Sequence, residues 1–422
     1  MHPLVLVILA CSGVASAYQL VQFVAAWRFL RRPRPPVPAG AGRCPPVTVL
    51  KPLKGPGVEL AANLESFCRQ DYPVYQIVFG VDDARDPAVE VVRGIKRRFP
   101  HLDIALAIGH EEGANRKVAN LVHMMRHAKH EVLVVSDADI RVRSDYLRTM
   151  VAPLADPTVG LTTCLYRGHA VGGLPAVIES LLVSTDFLPM VLMAQWVQRF
   201  KYAYGASIAF RRDALDAIGG FENMRAHLAD DYLLGRRIAE AGWTLRLLPY
   251  VVETIPDSRT MRDVWRHHLR WARTYRVCQP IGWFATIIIQ TMLWGVLAVL
   301  ATGGAAIGWL ALALAVLCRL ASLRAIAGLF GDTDTVRHLW LVPPKDLAYS
   351  AGWLASWLGR DVDWSGQRLR VLSDGRMVPV EGGTPVVAPK VPELASLSRV
   401  AVTRARRSAA AVRAGTDLSA SP

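Results

Sequence analysis

Six cysteines are scattered along 422 residues, at Cys11, Cys44, Cys68, Cys164, Cys278 and Cys318. None forms a Cys-x-x-Cys pair or sits in a cysteine–histidine cluster, so neither a disulfide framework nor a zinc site is indicated; reduced thiols are expected. Acidic residues are scarce beside basic ones, 35 against 49, which leaves a net charge of +14. That excess is not gathered into a separate basic domain, which argues against a nucleic-acid partner. The chain lacks an internal repeat. It also lacks a phosphate-binding P-loop: Gly113-Ala114-Asn115-Arg116-Lys117 has neither the glycine spacing nor the following Ser or Thr that the loop needs. The first apolar run is not followed by a clean small-residue cleavage site, and its basic cluster comes after it instead of before. An uncleaved anchor is therefore expected, not a signal peptide.

What the chain has in quantity is apolar sequence. Hydrophobic residues make up 52% of it and the mean hydropathy is +0.24, as in an integral membrane protein. Leu4 to Trp27 and Ile281 to Thr302 are long enough to cross a bilayer. Ala305 to Cys318 is apolar but short, and Arg319 and Arg324 must snorkel if it spans. Leu341 to Leu358 is interrupted by Pro343-Pro344-Lys345-Asp346 and reads as a weak span or a re-entrant segment. Leu174 to Val197 carries Glu179, Asp186 and Pro189. A true span would bury two carboxylates there, so an interfacial or core helix is expected. Arg28, Arg31, Arg32 and Arg34 follow the first span, and Arg259, Arg262, Arg266, Arg270, Arg273 and Arg276 precede the second. The positive-inside rule puts both clusters, and the residues between them, in the cytoplasm.

The expected organisation is an anchor at 1–30, a Pro-rich basic linker at 31–46, a catalytic domain at 47–276, membrane segments at 281–358 and a polar, partly disordered tail at 359–422. Within the catalytic domain short β-type runs alternate with helical spacing. Strands are predicted at Val47–Leu50, Ile77–Val81, Ile104–Ile108, Glu131–Val135 and Tyr204–Phe210. Helices are predicted at Glu59–Arg69, Val89–Phe99, Lys117–Ala128, Arg212–Ile218 and Tyr232–Ala241. This alternation predicts an α/β fold with a mostly parallel sheet.

Three acidic clusters stand where strands end or helices begin, the usual place for a site in such a sheet. Asp137-Ala138-Asp139 follows a buried strand. Two carboxylates at alternate positions suit Mg²⁺ or Mn²⁺ shared with substrate phosphates. Asp82-Asp83 ends an earlier strand, where a carboxylate can accept hydrogen bonds from a nucleobase or ribose. Asp230-Asp231 precedes a helix. One of the pair could cap it, or like charge could raise one pKa toward that of a general base. Arg270-Trp271 can grip a diphosphate and stack on a sugar or lipid; alternatively its helix lies on anionic headgroups. Lys51-Pro52-Leu53-Lys54-Gly55 reads as a basic turn, and Gly113 to Lys117 as a helix start that offers a cation to a phosphate.

In this order the segments LKPLKG (from Leu50), NLESFCRQDYP (from Asn63), VDDARDPA (from Val81), GANRKVANL, SDADIRV, LADDYLLGRRIAEAGW and LRW resemble the ceramide glucosyltransferase family, glycosyltransferase family 21. The resemblance covers roughly residues 1 to 375 and is greatest to bacterial members associated with hopanoid biosynthesis. It implies a GT-A-type domain. The reaction implied is inverting transfer of a hexose or N-acetylhexosamine from UDP-glucose or UDP-N-acetylglucosamine to a lipid hydroxyl of a hopanoid or ceramide. Carried over residue by residue, it makes Asp83 and Asp137 donor-side aspartates, with Lys117 beside the donor. Asp137 and Asp139 become ligands to Mg²⁺ or Mn²⁺, and Asp231 the catalytic base. Arg270 and Trp271 become the catalytic Arg-Trp of a Gln/Arg-x-x-Arg-Trp motif. Here the Gln/Arg position is His267, on the acceptor side. The expected location is the bacterial inner membrane, with the catalytic domain cytoplasmic. The alternative, a processive polysaccharide synthase, would be expected to have Gln or Arg at 267 and more spans than this chain offers.

The arginine clusters generate a prediction about sidedness. Protease added to inverted membrane vesicles should cleave the region between Arg34 and Arg259, and right-side-out vesicles should protect it. The opposite pattern would overturn the assignment.

Overall fold

The fold comes from a computed structural model, which describes residues 2–33, 44–109, 111–197, 200–364 and 366–380. Most of the Pro-rich linker and of the polar tail lies outside them. The described residues divide into two compact units. One holds 44–165 and 200–252; the other holds 2–33, 166–197 and 253–380. The division differs from a single catalytic stretch at 47–276, because 166–197 and the residues from 253 onward go with the apolar helices.

The first unit is built on an eight-stranded sheet of β1 (Val47–Pro52), β2 (Tyr75–Val81), β3 (Asp103–Ile108), β4 (Val132–Ser136), β5 (Ile140–Arg141), β6 (Val159–Gly168), β7 (Ser207–Arg211) and β8 (Thr244–Thr254). Their order is β3-β2-β1-β4-β7-β6-β8-β5. β1 pairs in parallel with β2 and β4, and β2 with β3. β7 lies antiparallel between β4 and β6. The sheet is therefore mixed: β1 to β4 form a parallel half, and beyond it β7 runs antiparallel to both of its neighbours. The parallel half matches the strand–helix alternation read from sequence, with helices Leu60–Cys68, Ala88–Arg98 and Arg116–Met124 between its strands. The long strands β6 and β8 were not among the predicted ones. β6 is buried on both faces for its first seven residues and so shows no alternation. β8 carries Pro249 within an otherwise suitable sequence.

Burial on both faces explains the apolar sequences of β1, β2 and β4. Leu50, Val78, Leu133 and Phe210 from the sheet join Val118 and Leu121 from the Arg116 helix and Ile238 from the helix Asp230–Glu240 in one core. Close approach decides one position. A Cβ at Gly80 would stand 2.3 Å from both Asn120 Oδ1 and Met124 Sδ, and Asn120 Nδ2 donates 2.9 Å to the Gly80 carbonyl. The Arg116 helix thus lies directly on β2. The parallel register brings the C-terminal ends of β1, β2 and β4 to one edge of the sheet. Lys51, Asp82 and Asp137 occupy those ends.

The second unit is mainly helical. Pro3–Leu30 and Ala306–Leu329 are long and apolar enough to cross a membrane, and Pro280–Ile289 with Thr291–Ala301 forms a further candidate bent by 53° at Gln290. Ala306–Leu329 runs well past the expected Cys318. Leu174–Val197 also passes by length and composition, but 78% of its apolar window is buried, against 22% and 28% for the other two straight candidates. It is largely packed inside its own unit, and a π-turn at Val183–Phe187 interrupts it. Pro343 and Pro344 do not break the last segment. They lie in the first turn of a continuous helix, Val342–Trp357, where the absent N–H groups would have had no helical partner. Trp283 and Trp353 pack together with Ala272, and each indole N–H finds an acceptor, Ser356 Oγ and the Trp283 carbonyl. Part of the expected tail is ordered. β9 (Asp361–Trp364), β10 (Gln367–Val371) and β11 (Met377–Pro379) form a small antiparallel sheet.

Candidate active site

Two carboxylate pairs meet at the edge of the eight-stranded sheet. Asp137 and Asp139 flank Ala138 directly after β4. Asp230 and Asp231 open the helix Asp230–Glu240. The capping alternative for this pair does not hold, because Ala229 is the cap residue and both aspartates lie in the first helical turn. Their charge still meets the positive end of the helix dipole there.

Lys117 ties the pairs together. Its ammonium lies 2.6 Å from Asp137 and 3.4 Å from Asp230. Asn115 caps the Arg116 helix by accepting from the Val118 N–H. Its amide donates to the His227 carbonyl and reaches Asp230. One capping residue thus positions both Lys117 and the acidic helix start. Burial disfavours the charged form of Lys117, but the carboxylates of Asp137, Asp230 and Asp231 outweigh it and hold the ammonium protonated, its pKa raised.

Lys51 is the second cation, and it is not on a surface turn. It belongs to β1 and is fully buried. Its ammonium donates to the Asp137 carbonyl and lies 3.9 Å from the centre of the Phe67 ring. Burial pushes its pKa down to about 7, although Asp139 and Asp137 pull it upward. Four carboxylates thus share two lysines. Burial, then the neighbouring Asp230, raise the pKa of Asp231 to about 6, against the pull of Lys117 and of the Tyr232 N–H that donates to its Oδ1 at 2.8 Å. Gly205 makes room for this carboxylate: a Cβ there would stand 2.9 Å from Asp231 Oδ2. A carboxyl titrating near 6 can exist as a base at neutral pH and still hold an abstracted proton.

Among the described residues, no three His, Cys, Asp or Glu side chains form a ready cation cage. Asp137 and Asp139 still fit a divalent ion. They supply two hard oxygen donors in a region of surplus negative charge, and Mg²⁺ ordinarily completes its shell with water and phosphate oxygens. Asp82 and Asp83 part company beyond β2. Asp82 pairs with Arg116 at 3.1 Å. Asp83, the predicted donor-side residue, is half exposed and paired with Arg85 at 2.8 Å, which holds its carboxyl down at about 2.

Arg270, Trp271 and His267 belong to the other unit, on the helix Met261–Cys278. His267 Nδ1 is paired with the buried Glu179. The His267 ring lies 4.3 Å from that of Trp271, and the Arg270 guanidinium lies 5.6 Å from the centre of the Trp364 ring. Sequence reasoning had marked Glu179 only as awkward for a span. Its role as partner of His267 depends on the contact between two helices far apart in the chain. The next residue, His268, is buried against Tyr349, and burial pushes its pKa down to about 4.

The chain combines a mixed α/β sheet that carries acidic pairs at its edge with helices long and apolar enough to cross a membrane. The family model for glycosyl transferase family 21 matches residues 5–377, and the chain belongs to that family. It is 31% identical to ceramide glucosyltransferase 3 of Caenorhabditis elegans over 47% of this chain and 44% of the relative. It is 27% identical to ceramide glucosyltransferase 1 of the same organism over 56% and 51%. The probable glycosyltransferase YdaM of Bacillus subtilis is 23% identical over 54% and 55%. The chain thus spans only about half the length of these curated relatives. Among solved structures, a mannosyltransferase from Pyrobaculum calidifontis in complex with GDP-mannose and Mn²⁺ is 22% identical with a TM-score of 0.47, over 82% of this chain and 99% of that one.

The electrostatics generate a prediction that needs no substrate. A carboxyl infrared band absent from Asp231→Asn should titrate at about pH 6 in the wild-type protein. Removing the Lys117 charge as Lys117→Gln should move that titration upward, since Lys117 favours the ionised form. Titration in the ordinary aspartate range, or no shift in the variant, would refute the coupling.

Proposed function

We propose that this chain is a membrane-bound inverting glycosyltransferase. It would transfer a hexose or N-acetylhexosamine from UDP-glucose or UDP-N-acetylglucosamine to the hydroxyl of a hopanoid or ceramide, on the cytoplasmic face of a bacterial inner membrane. The observation that carries the reading is the joining of Asp137–Asp139 to Asp230–Asp231 through Lys117. Family membership supports sugar transfer, the names of the relatives support a lipid acceptor, and the apolar helices support a membrane setting.

In this reading Asp231 takes the proton of the acceptor hydroxyl. The freed oxygen forms its bond to the anomeric carbon from the face opposite the departing diphosphate, which inverts the configuration. Asp137 and Asp139 would hold Mg²⁺ or Mn²⁺, which when bound offsets charge on the diphosphate. Lys117 lies between the two acidic pairs, and its charge opposes the rise in the Asp231 pKa. Asp83 is assigned to the nucleoside, Arg270 and Trp271 to catalysis, and His267 to the acceptor side. An imidazole already engaged at Nδ1 by Glu179 lacks the bidentate grip of an arginine on a diphosphate.

The reaction is tested by UDP release from membranes given UDP-sugar, with and without a lipid extract. Release should depend on the extract and on Mg²⁺ or Mn²⁺, and should stop with EDTA. Asp231→Asn should lower kcat by about 10²–10⁴-fold while UDP binding persists. Near-normal turnover in that variant, or full activity of the metal-stripped enzyme, would contradict the assigned roles.

The motif residues are separated by varying the lipid at saturating UDP-sugar. His267→Ala should raise the apparent KM for lipid, whereas Arg270→Ala should chiefly lower kcat. If His267→Ala leaves the lipid dependence unaltered, the residue is structural.

A further inference from the structure

Within the helical unit, charge is buried where the sequence is most apolar. Arg319, on the helix Ala306–Leu329, donates to Asp186 at 2.8 Å and to Asp346 at 2.8 Å. Lys345 pairs with the same two aspartates. Arg319 also donates to Gln19 Oε1 at 3.2 Å, and Gln19 Nε2 donates to Thr291 Oγ1 at 2.7 Å. The cluster draws on the first helix, the π-turn, the bent pair, the long apolar helix and the last helix. Two cations and two anions make it neutral, and every charge in it is paired.

Beside it lies a cavity of about 60 Å³, lined in part by Gln22, Asp186, Gln290 and Arg319. Gln22 and Gln290 are more than nine-tenths buried. Among the described residues, Gln22 Oε1 and both polar atoms of the Gln290 carboxamide lack a hydrogen-bond partner. The backbone is irregular here twice over. Asp186 sits in the π-turn, and Gln290 sits at the 53° break between two helical pieces. π-turns are frequent at functional sites, and ionisable groups within membrane segments commonly mark a polar pathway or site.

We propose that this cavity is a subsite for an uncharged, hydrogen-bonding part of a lipid: a hydroxyl or amide group carried on an apolar body. Charge balance argues against an ionic ligand, because a phosphate or ammonium would have to displace a paired partner. The open groups are carboxamide donors and acceptors, which match a hydroxyl or amide that both gives and takes a hydrogen bond. The volume admits a small polar group and not a sugar ring. Setting selects a lipid as the carrier, since apolar helices surround the cavity. The inference rests on the reading of the acceptor as a hydroxylated lipid and gives that lipid a second point of recognition besides the reacting hydroxyl.

The test uses the full-length protein purified in detergent, with ceramide and its O-methylated analogue as probes and tryptophan fluorescence as the binding signal. Wild type should prefer ceramide. Gln290→Leu and Gln22→Leu, which keep the volume, should each weaken ceramide about 5–10-fold, the scale of one lost neutral hydrogen bond, and erase the preference over the analogue. UDP binding should stay intact in both variants as a check on folding. Unchanged ceramide affinity in both variants would mean that the cavity holds only water and would overturn the proposal. Equal weakening of ceramide and its analogue would overturn it too, by assigning the glutamines to packing. Because the signal does not depend on turnover, lipid discrimination without UDP release would sink the transferase reading and leave the subsite standing.

Discussion

The ion pairs of Lys117 hold the candidate active site together. Four aspartates at one edge of a sheet repel one another, and each is taken at least partly from water. Without a cation between them, the strand end at Asp137 and the helix start at Asp230 would be driven apart. One ammonium at 2.6 Å and 3.4 Å from the two sides converts that repulsion into a junction. It leaves a residual imbalance, and the imbalance falls on Asp231, which Lys117 does not contact directly. The raised pKa of the candidate base comes first from its burial and then from the neighbouring Asp230, with Lys117 pulling against both. Lys51 adds to this from beneath. It is buried and donates to the backbone of Asp137, fixing the loop as well as its charge.

The helical unit meets the same problem differently. Burying an ion in a medium of low dielectric costs several kcal/mol even after relaxation. Arg319, Lys345, Asp186 and Asp346 meet that cost by full mutual pairing. The imbalance there is not of charge but of hydrogen bonds, left on Gln22 and Gln290. Both units thus place their incompletely satisfied groups where a substrate or ligand of matching chemistry could complete them.

Much of the parallel half of the sheet was legible in the sequence, since strands buried on both faces appear as continuous apolar runs and end at charged residues. Asp82 and Asp137 were visible for that reason, and Asp230 because it precedes a helical pattern. Beyond the parallel half β7 was legible too, as Tyr204–Phe210, but β6, which lacks alternation, and β8, which contains a proline, were not. Lys51 was misplaced because a lysine before Pro52 reads as a turn; only the packing of Phe67 and the Asp137 loop shows that it is buried. Pro343 and Pro344 were read as an interruption because nothing local distinguishes a helix start from a helix break when apolar residues stand on both sides.

The sequence alone determined the inventory: acidic clusters at strand ends and a helix start, apolar spans, flanking arginines, and a motif order that already resembled glycosyltransferase family 21. These are local properties, fixed by residue type and spacing. Tertiary structure decided the partnerships. Lys117 with Asp230, His267 with Glu179, and Arg319 with Asp186 and Asp346 join residues 88 or 113 positions apart, or 27 and 133. Spacing in the chain says nothing about which of these charges will meet. Each pairing follows from which helix packs on which strand or helix, and that is set by the burial of apolar faces over the whole unit.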